Sequence, residues 1–243
     1  RIWKIWRPFI PSLSVERKAY NLARNINRRY SNQIFIGSKM KNKFYTVIIA
    51  LFLSSNSLIA YVQLDEISPD FKLKNSFGDY VSLSDYRGKK VILEWTNHGC
   101  PFVAKHYSTG NMQSTQNYAK DSGAIWLSII SSAPGTQGFV SSAKANDLTS
   151  SRNAIPTHVL FDSDGTVGRM YDAKTTPHMF IIDEDGRLKY QGAIDDAGGR
   201  GFMSKDLLEA NNYIKKGLKE ILQERSLSTP VTKPYGCSVK YAS

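Results

Sequence analysis

The sequence predicts an α/β fold, a three-layer sandwich in which helices cover both faces of a mixed central sheet. Two apolar runs, KVILEW at 90–95 and AIWLSII at 124–130, are typical of strands that are buried on both faces. Two further apolar runs flank the dipeptide Asp185-Gly186, which favours a tight turn between antiparallel strands. Segments that suit helices separate these runs. Strands that alternate with helices in this way indicate the α/β class.

The predicted elements follow one another in the order β-α-β-α-β-(α)-β-β-α. Two short strands surround a turn at 77–79, and a short turn follows at 84–86. The later elements are a strand at 90–95, a helix from 101 to about 120, a strand at 124–130, a helix within 138–154, a strand, turn and short helix within 157–173, a hairpin within 178–194 and an amphipathic helix at 204–223. The last helix closes the domain.

The folded domain is assigned to residues 61–243, and the segment before it has the pattern of a cleaved signal peptide. Residues 40–60 contain a first methionine with two lysines, then a ten-residue apolar stretch, then small residues that end at Ala60. The alternative is a retained membrane anchor, although the stretch from Phe44 to Ala60 falls short of the ~20 apolar residues of a span. We therefore expect an exported protein, periplasmic or secreted, that touches a membrane only through this segment if it stays uncleaved.

Residues 1–39 precede the first methionine and are expected to be a non-native upstream extension. The alternative is an organelle-targeting segment, because these residues are rich in arginine and contain one acid. The positive charge of the chain is concentrated at this end. The formal net charge is +11, but 61–243 holds 21 basic and 20 acidic residues. A nearly neutral domain gives no electrostatic support for binding nucleic acid.

Cys100 is the main candidate for chemistry. It follows a predicted buried strand and precedes Pro101, a residue favoured at the first helical position. The free N–H groups and positive dipole of a helix N-terminus stabilise a thiolate, which is the reactive form of cysteine. Lys105 and His106 stand close enough in sequence to add positive potential. The alternative is a buried structural cysteine.

A second candidate is Pro177, which directly precedes the first strand of the hairpin in the stretch TTPHMFIID. The sequence does not reveal whether the Thr176–Pro177 bond is cis or trans.

Residues 68–195 resemble the thioredoxin-like redoxins, in particular the alkyl hydroperoxide reductase / thiol-specific antioxidant group and its exported relatives. The resemblance is carried by SPDFKLKNSFGDYVSLSDYRGKKVILEW, GCPFVAKHY and TTPHMFIIDEDGRLKYQGAIDD, in the family's order. It implies a thioredoxin-like sandwich, a reactive Cys100 and a cis-proline at Pro177 that faces it. It also implies a disulfide or hydroperoxide substrate, a thiol reductant such as a thioredoxin-type protein, and no bound cofactor.

The sequence departs from this family at three positions. Val103 stands where a dithiol redoxin has its second cysteine. Thr96 lies four residues before Cys100, whereas a peroxiredoxin threonine lies three before, and Pro177 stands where an arginine would be expected. Peroxide activation needs donors and positive charge at the peroxide oxygens. Arg152 or Arg169 could supply that charge, but nothing in the sequence places either of them at the site.

Cys237 lies in the irregular stretch KPYGCSVKY beyond the last predicted helix. Three roles are open: a resolving thiol that forms a disulfide with oxidised Cys100, a permanent disulfide that pins the tail, or a bond to another chain. The permanent bond belongs to a different function, that of a redox-inert binding or metal-handling module. His98, His106 and His178 could approach Cys100, but a single thiolate is a poor copper site, so no metal is predicted.

Overall fold

The structure is a computed structural model that describes residues 62–198, 207 and 209–242. The predicted extension at 1–39 and the predicted signal peptide at 40–60 lie outside the described residues, so both stay predictions. Within the described part of the chain, no helix has the length and apolar character that a membrane crossing requires.

Nine strands and five α-helices can be followed along the described residues. The strands are β1 (Lys72–Asn75), β2 (Tyr80–Ser82), β3 (Val91–Trp95), β4 (Ile125–Ile130), β5 (His158–Phe161), β6 (Thr175–Thr176), β7 (His178–Ile182), β8 (Leu188–Gly192) and β9 (Cys237–Ser238). The helices are α1 (Pro101–Ser108), α2 (Asn111–Asp121), α3 (Ser142–Ser151), α4 (Thr166–Met170) and α5 (Tyr213–Leu222). A single 3-10 turn, Leu83–Tyr86, follows β2.

Seven of these strands form one mixed sheet in the order β2-β1-β5-β4-β3-β7-β8. Strands β3, β4 and β5 are parallel, whereas β7 runs antiparallel to β3 and to β8. The predicted three-layer α/β sandwich with a mixed sheet is therefore confirmed, and so is the predicted hairpin. The two remaining strands, β6 and β9, pair with each other outside this sheet.

The side chains of β3 alternate between the two faces of the sheet, and all of them are buried. Trp95 packs on one face, where its ring lies 5.1 Å from the Phe180 ring and 5.5 Å from the Tyr171 ring. Ile92 belongs to the opposite face, in the same cluster as Cys100. Full burial of an apolar side chain contributes about 1.5–3 kcal/mol. The central strand that leads to Cys100 is thus fixed from both sides.

Two predicted helices differ from those observed. The helix predicted from 101 to about 120 is two helices, because the chain turns at Gly110, whose φ of 76° belongs to the left-handed region that favours glycine. Of the helix predicted at 204–223, residues 204–206 and 208 lie outside the described residues, and the described helix begins at Tyr213. The Asn212 side chain caps it by accepting from the backbone N–H groups of Ile214 and Lys215.

Candidate active site

Cys100 lies at the N-cap of α1, at the end of the loop that follows β3. Asn97 shapes this loop: its side-chain oxygen accepts from the Gly99 N–H at 2.8 Å, and its carbonyl accepts from the Cys100 N–H at 3.0 Å. Pro101 occupies the first helical turn, where its missing N–H is not needed. The Cys100 side chain is 0% exposed in this arrangement.

The loop between β6 and β7 covers Cys100. Its Thr176–Pro177 peptide bond is cis. The Cys100 thiol donates to the Thr176 carbonyl, with 3.1 Å between sulfur and oxygen. The Thr176 hydroxyl is buried and bonds to no other described residue, which leaves it free to donate to a thiolate. The structure therefore brings Pro177 and Cys100 to one place.

Cys237 reaches the same place from the tail of the domain, which is the stretch of chain that follows α5. Strand β9 pairs antiparallel with β6, and Cys237 stands opposite Thr176 in this pairing. Both cysteines are free thiols, Cys237 packs against the buried cluster that contains Cys100, and the ionisation of each thiol depends on the other. Gly236 permits this approach: its φ is 138°, and a Cβ added to it would lie 2.1 Å from the Thr176 carbonyl oxygen.

The two thiols have opposite ionisation tendencies. Burial raises the pKa of Cys100, but hydrogen bonds from the Cys237 thiol, the Val103 backbone N–H and the Thr176 side chain outweigh it, so the pKa is lowered from its ordinary value. Burial and the contact with Cys100 raise the pKa of Cys237 to about 11, although Lys240 opposes this. Cys100 is therefore the thiol that ionises first.

This contact predicts the effect of substitution at Cys237. Changing Cys237→Ala removes the donor that lowers the pKa of Cys100 most, so we expect that pKa to rise. Titrating the ultraviolet absorbance of the Cys100 thiolate measures it. Cys237→Ser is the matched control, because its hydroxyl keeps a donor beside the sulfur. An alanine variant with the wild-type titration curve would contradict the assignment.

A buried carboxylate holds the helix of Cys100 against the sheet. Glu94 on β3 is 0% exposed. It accepts from the Tyr107 hydroxyl on α1 at 3.1 Å, from the Trp126 indole at 2.9 Å and from the Ser128 hydroxyl at 2.8 Å. These donors compensate a buried charge that would otherwise be costly. Glu94 therefore fixes the orientation of α1 relative to β3 and β4.

The structure does not bring either candidate arginine to the sulfur. Arg152 donates to the His98 carbonyl at 3.2 Å and lies over the Tyr107 ring. It lines a small cavity together with Thr96, and Cys100 is not part of that lining. Arg169 donates to the carbonyls of the Asp164 and Ala242 backbone. No arginine among the described residues hydrogen-bonds to Cys100.

Among the described residues, no histidine hydrogen-bonds to Cys100 either. His106 is buried and bonds to Tyr235 and Asn111. Burial lowers its pKa, although Asp195 opposes this, so the positive potential expected from it is absent near neutral pH. Burial lowers the pKa of His178 to about 4, and its ring nitrogen accepts from the Lys174 N–H. Within the described ranges, no group of three His, Cys, Asp or Glu residues could hold a metal ion.

Sequence reasoning missed four residues around this site: Thr176, Asp195, Tyr235 and Gly236. Thr176 bonds to the Cys100 thiol, and Gly236 lies against the Thr176 carbonyl. Their only signal in the sequence is position, since one precedes Pro177 and the other precedes Cys237. Asp195 and Tyr235 meet through the fold, and nothing in the sequence links them.

Comparisons with known proteins find a matching family, a relative by sequence and solved structures with a similar fold. The sequence model of the AhpC/TSA family matches residues 64–191. The thiol-disulfide oxidoreductase ResA of Bacillus subtilis (strain 168) is 24% identical over 151 residues, which cover 59% of this chain and 73% of the relative.

Two solved structures share the fold at low identity. An uncharacterized conserved protein from Geobacillus kaustophilus has a TM-score of 0.65 at 23% identity and matches 74% of this chain and 93% of its own. A hypothetical protein from Sinorhizobium meliloti 1021 has a TM-score of 0.62 at 21% identity and matches 75% of this chain and 96% of its own. The family match covers more than half of the sequence, and the resemblance seen in its motifs points the same way. The chain belongs to the AhpC/TSA family of thioredoxin-like redoxins and is a thiol-dependent oxidoreductase.

Proposed function

We propose that this protein is an exported thiol–disulfide oxidoreductase in which Cys100 is the nucleophile, Cys237 is the resolving thiol and Pro177 shapes the substrate groove. The supporting observation is that strand pairing sets Cys237 opposite Thr176, whose carbonyl accepts from the Cys100 thiol, while the pKa values of the two thiols are shifted in opposite directions. A thiolate is the attacking species in disulfide exchange. One thiol is thus ready to attack while its partner keeps its proton. The reaction requires no bound cofactor.

In the first step the Cys100 thiolate attacks one sulfur of a substrate disulfide. A bond forms between Cys100 and that sulfur, the substrate S–S bond breaks, and the other substrate sulfur leaves as a thiolate that takes a proton from solvent. The helix N-terminus favours Cys100 as the anion that starts this step.

In the second step Cys237 attacks the mixed disulfide at the Cys100 sulfur. The Cys100–Cys237 bond forms and the second substrate thiolate leaves. Burial still raises the pKa of Cys237 after Cys100 has reacted, but Cys100 then carries no charge, so its own contribution to that rise disappears while Lys240 still lowers the pKa. The order of the two attacks therefore follows from electrostatics. A thioredoxin-type dithiol in the exported compartment then reduces the disulfide.

A disulfide is favoured over a hydroperoxide as the natural substrate. A hydroperoxide would convert the Cys100 thiolate to a sulfenic acid and release an alcohol or water, and Cys237 would then expel water to form the same disulfide. Fast peroxide reduction needs donors and positive charge at the peroxide oxygens. Arg152 and Arg169 are both bonded to backbone carbonyls away from the sulfur.

The test compares two oxidants on the reduced protein, glutathione disulfide and hydrogen peroxide, and identifies the product by mass. We expect glutathione disulfide to yield the Cys100–Cys237 disulfide, and hydrogen peroxide to react no faster than an ordinary exposed thiol. Fast peroxide oxidation to the same disulfide would assign a peroxidase instead.

A redox-inert binding module is the second candidate, and the complete burial of Cys100 favours it. In that case a Cys100–Cys237 bond would be permanent. The oxidised protein would then resist reduction by thioredoxin, whereas the proposed function requires that thioredoxin reduce it within the time of a turnover assay.

A further inference from the structure

Tyr235, two residues before Cys237, closes a buried ring of hydrogen bonds. Its hydroxyl donates to Asp195 Oδ1 and lies 3.1 Å from His106 Nε2. Asn111 completes the ring, because its side-chain nitrogen lies 2.8 Å from His106 Nδ1 and 3.0 Å from Asp195 Oδ2. His106, Asn111 and Asp195 are all buried.

The donors and acceptors of this ring fit together in one way. The Asn111 amide nitrogen only donates, so it uses one N–H for Asp195 and the other for His106 Nδ1. His106 is therefore neutral and carries its proton on Nε2, from which it donates to the Tyr235 oxygen. The Tyr235 hydroxyl in turn donates a hydrogen bond to Asp195. Every polar group in the ring is satisfied, and such a network is rigid.

The ring ties the tail to the elements that position Cys100. His106 belongs to α1, Asn111 belongs to α2, and Asp195 follows β8. The aromatic ring of Tyr235 also lies 5.9 Å from the Phe102 ring on α1. Tyr235 therefore sits in a place built from three separate parts of the chain.

Close packing confirms that this place is shaped for an aromatic ring. A Cβ added to Gly198 would lie 2.2 Å from the Tyr235 ring, so the backbone at this position approaches the ring closely. The Tyr235 hydroxyl bonds to His106 and Asp195 and to neither sulfur. The connection to the sulfurs runs through Gly236, whose backbone lies against the Thr176 carbonyl.

We propose that Tyr235, held by the Asp195–His106–Asn111 ring, is a positioning residue that sets how closely the Cys237 thiol is presented to Cys100. This inference rests on the proposed function, in which Cys237 resolves Cys100. The hydrogen-bonded ring fixes the tail immediately before the resolving cysteine, and β9 fixes it at that cysteine. Only Gly236 separates Tyr235 from Cys237.

The test measures the equilibrium between the Cys100–Cys237 disulfide and a glutathione buffer, which gives the effective concentration of Cys237 at Cys100. Tyr235→Ala removes both the hydroxyl and the aromatic packing, and we expect the effective concentration to fall about tenfold, equal to about 30 mV for this two-electron couple. Tyr235→Phe keeps the aromatic ring, and we expect a smaller fall.

The matched control is Tyr171→Phe. Tyr171 is buried, and its hydroxyl donates to the Pro69 carbonyl at 2.6 Å. The variant therefore loses one hydrogen bond of similar burial, at a residue that is far from the tail in sequence. We expect it to keep the wild-type effective concentration, because a general loss of stability does not by itself change the approach of the two thiols.

The outcomes separate the two proposals. If the wild-type protein forms the disulfide and both Tyr235 variants keep its effective concentration, the positioning role is overturned and the proposed function stands. If the wild-type protein forms no disulfide between Cys100 and Cys237, the proposed function is overturned first. A fall in both Tyr235 variants and not in Tyr171→Phe supports the positioning role.

Discussion

A Cys100→Ser variant is expected to lose all turnover of disulfide substrates while it keeps its fold. A serine hydroxyl is not ionised near neutral pH and cannot form the mixed disulfide on which the reaction depends. Serine is close to cysteine in size, and its hydroxyl can donate to the Thr176 carbonyl as the thiol does at 3.1 Å. A turnover assay with a dithiol reductant measures the activity, and thermal unfolding measures the fold.

The matched variant is Cys237→Ser, which should stop after one step. Cys100 would still attack the substrate, but no second thiol would displace it, so one substrate half should remain bound per chain and be visible by mass. Wild-type turnover in Cys237→Ser would show that an external thiol resolves Cys100 and that Cys237 is dispensable. Residual turnover in Cys100→Ser would show that Cys100 is not the nucleophile.

A Gly236→Ala variant is expected to detach the tail from Cys100. The added Cβ would lie 2.1 Å from the Thr176 carbonyl oxygen, and the φ of 138° is strained for any residue with a side chain. Backbone strain of this kind costs about 1–3 kcal/mol. Because 1.4 kcal/mol corresponds to a factor of ten, alkylation of Cys100 by iodoacetamide in the reduced protein should become about tenfold faster or more.

The control for this variant is Gly123→Ala. Gly123 also has a positive φ, 72°, but a Cβ added there would meet no atom within 4 Å. It therefore introduces backbone strain without a collision at the site. Equal alkylation rates in Gly236→Ala and Gly123→Ala would mean that the tail does not shield Cys100.

The strands were predictable from the sequence because burial on both faces requires an unbroken apolar run. The run at 90–95 contains β3, and the run at 124–130 contains β4, which confirms both predictions. The break at Gly110 was not predictable in the same way. Glycine is tolerated inside helices, so only the observed left-handed φ shows that the chain turns there.

The candidate site was partly predictable for a different reason. Cys100 and Pro177 lie beside strands, where local signals are strong, and Cys237 is the only other cysteine in the sequence. The ring around Tyr235 joins three regions that are far apart in sequence, namely the neighbouring residues His106 and Asn111, then Asp195, and then Tyr235 itself. Its members are polar or amphipathic residues that would be equally common on a surface, so nothing in the sequence indicates that they are buried together.

The placement of Cys237 on β9 makes the proposed pairing of the two thiols depend on the completion of folding. Cys237 follows every strand of the main sheet along the chain, so a ribosome produces it only after the rest of that sheet. In an unfolded chain the two thiols would seldom meet, since closing a loop of this size costs about 5 kcal/mol in chain entropy. During synthesis Cys100 is therefore a thiol without its proposed partner, and in the proposed mechanism disulfide exchange can be completed only after the whole domain has folded.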